Sequence, residues 1–376
     1  MERQTRTLEA DERLSWLRLI RSENVGPATF WSLLKRFGTA DHALEQIPAL
    51  ARRGGLRRRI RVPSKSEAID KITAADNIGA QFIACIEPEY PDLLTVIDAP
   101  PPVICIRGHA VLFQKRMVAL VGARNASASG RRFAHDLARE LGEQGLVVVS
   151  GMARGIDTAT HEGALATGTV AVLAGGINAI YPKENAELYE QIAQSGVIVS
   201  ETPFGVVAGA RDFPRRNRLI SGMCLGTVVV EAAVKSGSLI TARYAGEQGR
   251  DVFAVPGSPL DPRNKGANSL IRQGATLIES ANDILEQLDR APLGYLREPV
   301  APAGLTDAQT PSPALSEDEL ETARAHLLGL LSPTPTSIDE LIRQSDLTPS
   351  LVHTVLLELD LAARLERHLG GRVSLM

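Results

Sequence analysis

The chain reads as an α/β protein built on a doubly wound, mostly parallel sheet, with a small helical domain before it and a second helical domain ending in a hairpin after it. Three observations predict this. Between about residues 80 and 290, six short runs rich in Val, Ile and Leu alternate with helical stretches. Such runs suit strands buried on both faces, and the helices between them imply parallel pairing. Glycine-bearing turns follow three of the runs, at what would be the carboxyl edge of the sheet, where ligands of such folds bind.

Composition narrows the class. Hydrophobic residues make up 44% and charged residues 23% of the 376, which excludes a mostly disordered chain. No apolar run approaches the roughly 20 residues needed to span a bilayer, so no membrane partner is expected. The start, Met1-Glu2-Arg3-Gln4, leads into a charged stretch unlike a signal peptide, and a cytoplasmic protein is expected. Cys85, Cys105 and Cys224 lie far apart, with no Cys-x-x-Cys pair, so neither a metal site nor a disulfide framework is indicated. Charge is uneven: residues 1–75 carry +6, residues 76–290 carry −3 and residues 291–376 carry −6. Any basic surface is therefore local.

The first domain, residues 1–78, has apolar residues at helical spacing from Asp11 to Ile20, then Asn24-Val25-Gly26-Pro27 leading into a second helix up to Phe37. This Gly-Pro turn reads either as a helix-hairpin-helix element, whose amides can hold a DNA phosphate, or as an ordinary turn between helices. Six arginines between Arg52 and Arg61 read either as a phosphate contact or as a solvated loop.

In the core, residues 79–290, the expected strands are Val118–Val121, Leu146–Ser150, Val170–Leu173, Val197–Ser200, Thr227–Val230 and Val252–Val255. Three turns at their ends carry glycine and a basic residue: Gly122-Ala123-Arg124, Gly151-Met152-Ala153-Arg154 and Gly175-Gly176 running on to Lys183. Glycine allows close backbone approach, and helix N-termini offer amides to phosphate. The spacing is not Gly-x-Gly-x-x-Gly, so no dinucleotide or other cofactor is expected. A fourth element, Arg211 followed by Asp212-Phe213-Pro214-Arg215-Arg216-Asn217-Arg218, starts a helix with cations that oppose its dipole. Those arginines answer either to a ligand or to an internal carboxylate network.

Residues 291–316 read as a Pro/Ala-rich linker. In residues 317–376, three helices and a Gly370-Gly371 hairpin have the layout of a winged helix. Its presumed recognition helix, Leu351–Leu361, holds Glu358 and Asp360 and no cation. A helix that enters a major groove should be basic, so this domain reads as a site for a protein partner or as a regulatory module.

The phrases Gly122-Ala123-Arg124, Ser150-Gly151-Met152-Ala153-Arg154-Gly155-Ile156-Asp157, Phe213-Pro214-x-Arg216-Asn217-Arg218, Ser236-Gly237-Ser238-Leu239-Ile240-Thr241 and Gly249-Arg250-Asp251-Val252-Phe253-Ala254-Val255-Pro256-Gly257 resemble the DNA-processing protein A (DprA/Smf) family in content and order. The flanking regions are similar to that family's SAM/helix-hairpin-helix-like and winged-helix accessory domains. The resemblance implies a Rossmann-like core that binds single-stranded DNA, dimerises, and loads RecA recombinase during natural transformation, with no catalytic residue. It assigns Gly122, Arg124, Gly151, Arg154, Lys183, Arg216, Asn217 and Arg218 to nucleic acid. Arg211 is the nearest candidate for the basic residue before Phe-Pro. The dimer surface falls on Asn268, Leu270, Ile271 and Arg272.

The residues suit a binding protein. His161 has no Asp or Cys partner in sight and reads as a packed or capping residue, and aromatics at 4% argue against extensive base stacking. The rival reading is an enzyme. Gly222-Met223-Cys224-Leu225-Gly226-Thr227 through Glu231 is similar to the glycine-rich signature of nucleotide phosphoribohydrolases, but Ser221-Gly222-Met223 stands where that signature has Pro-Gly-Gly. Glu231 would then hold an arginine such as Arg216 or Arg218. A transcription factor would rest on the acidic winged helix alone.

Overall fold

The computed structural model describes residues 5–290, 317–368 and 370–376; the expected linker at 291–316 lies outside them. The chain opens with helices α1 (Ala10–Ile20), α2 (Pro27–Phe37), α3 (Ala40–Arg53) and α4 (Lys65–Asp76). Pro27 suits the first position of α2, where no amide is needed, and Gly38 ends that helix with a φ of +76°. Thr39 caps α3 by accepting the His42 amide at 3.3 Å. Trp16, Phe30 and Trp31 meet edge to face, with ring centroids 5.1–5.7 Å apart.

The core sheet begins with β1 (Ala80–Ala84), a short α5 (Asp92–Thr95) and β2 (Val103–Gly108). The wound part follows as β3 (Met117–Val121), α6 (Ala128–Glu143), β4 (Val147–Ser150), α7 (Ile156–Ala164), β5 (Thr169–Val172), α8 (Ala186–Ser195) and β6 (Val197–Ser200). It continues through α9 (Asp212–Gly222), β7 (Gly226–Val229), α10 (Gly237–Glu247), β8 (Asp251–Ala254), α11 (Lys265–Arg272), β9 (Thr276–Leu277) and α12 (Ala281–Arg290). The nine strands run in the order β1-β2-β6-β5-β4-β3-β7-β8-β9. From β3 the chain winds outward to β6, then returns to lay β7 on the other side of β3, so the direction of winding reverses between these two strands. Such a reversal opens a crevice at the carboxyl ends. All six expected strands are present as β3 to β8. The pairs β1–β2 and β2–β6 are antiparallel, while the pairs from β6 to β9 are parallel. On one face Leu137, Leu141, Ile156, Ile284 and Leu288 from α6, α7 and α12 pack over Val118, Leu120, Val148, Val228 and Phe253.

The C-terminal part is α13 (Glu317–Leu330), β10 (Thr336–Ser337), α14 (Ile338–Ser345), α15 (Pro349–Leu361), β11 (Leu365–His368) and β12 (Arg372–Leu375). Its small sheet, ordered β10-β12-β11, completes a winged helix.

Two compact units result. One holds Asp70–Ile97 and the sheet from Val103 onward; the other joins Leu8–Ile69 and Asp98–Pro102 to the C-terminal helices and hairpin. Inside the second unit the presumed recognition helix α15 is buried along nearly its whole length, from Leu351 to Leu361. Asn24 donates to the Leu361 carbonyl at 2.9 Å, Thr29 to Asp360 Oδ2 at 3.4 Å and Arg36 to Thr354 Oγ1 at 2.5 Å. The residues on either side of the Gly-Pro turn, Asn24 and Thr29, thus make intramolecular contacts. The acids of α15 face inward too, Glu358 on Arg324 at 2.7 Å and Asp360 on Arg367 at 2.6 Å.

Gly54, at the end of α3, has a φ of −66° that any residue can adopt, but a Cβ there would run into the Glu358 carbonyl and lie 2.9 Å from the Ala362 Cβ. Gly54→Val should therefore loosen α15 from α3 at an overpacking cost of about 1–3 kcal/mol. Both tryptophans, Trp16 and Trp31, lie in this unit. The urea midpoint followed by tryptophan fluorescence should fall while the circular-dichroism transition of the sheet stays in place. An unmoved fluorescence midpoint would show that the junction tolerates the side chain.

Candidate functional site

A cleft of about 900 Å³ opens where the winding reverses. One wall is the turn after β3, from Gly122 to Asn125. The opposite wall is the segment from Ala233 to Thr241 that follows β7 and starts α10, and the first turns of α9 close the side with Phe213, Arg216 and Asn217.

Arg216 comes from α9 but points inward. It is buried, and its Nη1 donates to the Gly151 carbonyl at 2.5 Å and to the Val172 carbonyl, at the ends of β4 and β5. Burial pushes the guanidinium down to about 10, opposed by the nearby Asp157. Burial pushes the Asp157 carboxyl up, against the pull of Arg216. Asp157 Oδ2 in turn accepts the Gly151 and Ala153 amides, each at 3.2 Å. The other arginines of this helix end also have carboxylate partners: Arg215 at 3.2 Å and Arg218 both pair with Glu201. The cations that oppose the α9 dipole are therefore answered from within the chain.

The three glycine turns serve internal packing. A Cβ on Gly122 would lie 2.6 Å from Ile156 Cγ1, and one on Gly151 would overlap the Arg216 guanidinium. Gly176 donates to the Val206 carbonyl at 2.8 Å and lies under the loop at Pro203–Gly205. At the start of α6, Ser127 donates its amide at 2.9 Å and its hydroxyl at 2.5 Å to the two oxygens of Glu231. This corrects the expectation that Glu231 holds Arg216 or Arg218. Gly130 makes room for that carboxylate, since a Cβ there would be 2.6 Å from it. An anion at a helix N-terminus is favourable whichever molecule supplies it.

Of the residues assigned to nucleic acid by sequence, Gly122, Arg124, Arg216 and Asn217 line the cleft. Asn217 donates to the Gly237 carbonyl at 3.2 Å. Gly151 is buried outside the lining, and Arg218, on α9, pairs with Glu201 and is also outside it. Arg154 pairs with Glu184, and Lys183 and Arg211 are exposed outside the lining. Sequence reasoning missed Tyr181 and Phe213. Their rings meet at 5.5 Å, and the Arg124 guanidinium sits 5.1 Å over the Phe213 face. Tyr181 is 52% exposed. Its turn is fixed by buried Asn185, which donates to the Met152 carbonyl and to Thr158, each at 3.0 Å. Also missed were Lys235, Ser236, Gly237 and Ser238 at the start of α10, although the Ser-Gly-Ser phrase opens the helix that follows β7. Arg263 lines the cleft as well and pairs with Asp261 at 2.7 Å. At the expected dimer surface, Asn268 closes on Gly257 through bonds of 2.8 and 3.1 Å. Leu270 and Ile271 are half-buried, and Arg272 is exposed. Among the described residues no His/Cys/Asp/Glu cluster could hold a metal, and no helix is long and apolar enough to cross a membrane.

His161 is buried under the site. Thr169 gives its hydroxyl proton to the Val148 carbonyl at 2.7 Å, so His161 Nδ1 donates to Thr169 Oγ1 at 2.9 Å and the ring is neutral. Burial, then Arg216, pushes it down to about 3. Below its ordinary pH of about 6.5 the unfolded chain takes up a proton that the folded chain refuses. Stability from this group is complete above about 6.5 and falls by up to about 1.4 kcal/mol per pH unit below it, until about pH 3. Urea unfolding of wild type should therefore lose about 1 kcal/mol more between pH 6 and 5 than that of His161→Gln. Equal losses would mean that the folded protein accepts the proton.

Comparison with known proteins accords with this architecture. Residues 81–289 match the family described as DNA recombination-mediator protein A. Residues 10–74 match the DprA-like N-terminal HHH domain, and residues 311–371 match the DprA winged helix domain. Protein Smf of Synechocystis sp. is 32% identical across 96% of this chain and 98% of its own. The DNA processing protein DprA of Bacillus subtilis is 43% identical across 58% of this chain and 74% of its own. The X-ray structure of DprA from Streptococcus pneumoniae superposes with a TM-score of 0.59 at 31% identity, covering 75% of this chain and 99% of that one. DNA processing protein A from Helicobacter pylori, whose structure describes a single-stranded DNA binding mode, gives 0.52 at 27% identity over 57% of this chain and 97% of that one. With the core family matched over more than half its length and both accessory domains in order, this chain belongs to the DNA recombination-mediator protein A family, the DprA/Smf proteins.

Proposed function

We propose that the chain binds single-stranded DNA in the cleft between the ends of β3 and β7, without catalysing a reaction on it, protects the incoming strand, and loads RecA recombinase onto it during natural transformation. The observation that carries this reading is the mouth of the cleft, where Arg124 lies over Phe213 and Tyr181 stands edge-on beside it. A guanidinium next to two accessible rings suits a strand that offers phosphates and unstacked bases together, which a duplex does not. Lys235 and the exposed Gly237 amide on the opposite wall extend the phosphate path, with Lys183 and Arg211 outside the rim. Arg216, Asn217 and Gly151 shape the wall from behind.

Membership of a recombination-mediator family supports RecA as the downstream partner. We assign a homodimer to the surface of α11 and β9. Strand β9 ends the sheet, Leu277 on it is exposed, and Leu270 and Ile271 lie half-buried just before it. The hydrolase reading draws no support from Glu231, whose two oxygens are both engaged by Ser127.

Fluorescence anisotropy with labelled oligonucleotides across a salt series tests the proposal. Wild type should bind a single strand tightly, with a steep salt slope, and a duplex much more weakly. Arg124→Ala and Lys183→Ala should each lower affinity and make the slope of log K against log salt shallower by about 0.7. Phe213→Ala or Tyr181→Ala should cost about 1–3 kcal/mol with a smaller change in slope. Equal binding of duplex, or unchanged affinity in all four variants, would remove the cleft from consideration.

A further inference from the structure

The arginine run of the N-terminal helices is only partly used by the fold. Between Arg52 and Arg61 stand six arginines and no acid. Arg58 pairs with Glu23, Arg61 pairs with Glu67 at 2.8 Å, and Glu23 also accepts the Arg61 amide at 3.0 Å. With Ile60 buried between them, these bonds anchor the loop. The Glu23 carboxyl is held down to about 2, chiefly by Arg58 and then by the Arg61 amide. A depressed carboxylate keeps its charge at every pH above that value, so this anchor is present throughout the neutral range. Arg52, in the last turn of α3, and Arg57 and Arg59, on the loop after it, are exposed, and among the described residues no acid pairs with them.

Docking of α15 brings a fourth cation. Arg364, three residues past that helix, is exposed and donates to the Gly54 carbonyl at 3.3 Å. A Cβ on Gly55 would lie 3.1 Å from its Nη1. The turn where the two parts of the unit meet is thus where their positive charge gathers. Exposed guanidinium groups without acidic partners make this surface locally positive, which suits a polyanion. Their planar forks match phosphate oxygens.

We propose that Arg52, Arg57, Arg59 and Arg364 form a second phosphate-binding surface, which grips a nucleic-acid backbone at a distinct place from the cleft. The winged helix then contributes by completing this surface, with its recognition helix buried. Contact is to phosphate, so no base preference is expected.

The test uses the full chain with all four positions changed to Ala, labelled 30-nucleotide single-stranded and duplex probes, and Arg132→Ala as an exposed control elsewhere. The same four changes are repeated in an Arg124→Ala/Lys183→Ala background, which separates this surface from the cleft. Affinity should fall about tenfold or more. The salt slope should become shallower by about 0.7 for each single-strand phosphate released, or about 0.9 for each duplex phosphate. A loss confined to one probe identifies the strand form that the surface holds. Unchanged affinity and slope for both probes, or a loss no larger than that of Arg132→Ala, overturns the proposal and leaves the arginines to an acidic protein. If Arg124→Ala/Lys183→Ala alone is silent while the fourfold change is not, the cleft reading fails and this one stands.

Discussion

One buried charge holds the ligand edge of the sheet together. Arg216 reaches from α9 to the carbonyls that end β4 and β5, and Asp157 gathers the amides of the same β4 turn. Taking a guanidinium out of water costs several kcal/mol, recovered only when its donors and a counter-charge are well placed. Both carbonyls accept from the one Nη1, and any residue but glycine at 151 would fill the guanidinium's space. Phe213 stands one turn earlier on the same helix. The ring beneath Arg124 is therefore carried on a helix that this buried charge ties to the sheet.

The same economy explains why glycine-rich turns at this edge are poor phosphate cradles here. A helix N-terminus attracts an anion, and the fold has already supplied two: Glu231 at the start of α6 and Asp157 in the first turn of α7, where it accepts the amides of the β4 turn. These carboxylates satisfy the turn amides whether or not a ligand is present. What remains for the proposed strand is side-chain charge at the rim and the exposed start of α10. Such an arrangement favours a polymer held at several weak points over a small phosphate ester held at one.

The wound part of the sheet was legible because β3 to β8 are continuous apolar runs, a pattern that leaves little alternative. Strands β1 and β2 escaped because they pair antiparallel across the short α5, outside the strand–helix alternation, and the two residues of β9 are too few to leave a pattern. Within the site, glycine and arginine marked the right edge but not their use. A sequence cannot say whether the space beside Gly122 belongs to a phosphate or to Ile156. Composition could not locate the rings, since a 4% aromatic content is an average, whereas the fold brings Tyr181 and Phe213 together at one mouth. The conflict of α9 arginines with their own helix dipole called for either a ligand or internal carboxylates, and the carboxylates are there: Glu201 pairs with Arg215 and Arg218, and Asp157 lies near Arg216.

The acidic winged helix shows what charge can and cannot specify. Residues 1–75 carry +6 and residues 291–376 carry −6, and much of both folds into one unit. Yet the close ion pairs of α15 are made inside the winged helix, to Arg324 and Arg367. Across the junction the contacts include Arg36 on Thr354, with Glu358 as its electrostatic neighbour, the Asn24 and Thr29 bonds, and Arg364 on the Gly54 carbonyl. Opposite net charge draws the two segments together at long range, where register is not decided. Register is set by shape, an apolar helix laid against α3 at a glycine that leaves room for its backbone. Once α15 is laid there, its missing cations are no deficit, because the positive charge of the unit lies on the loop beside it.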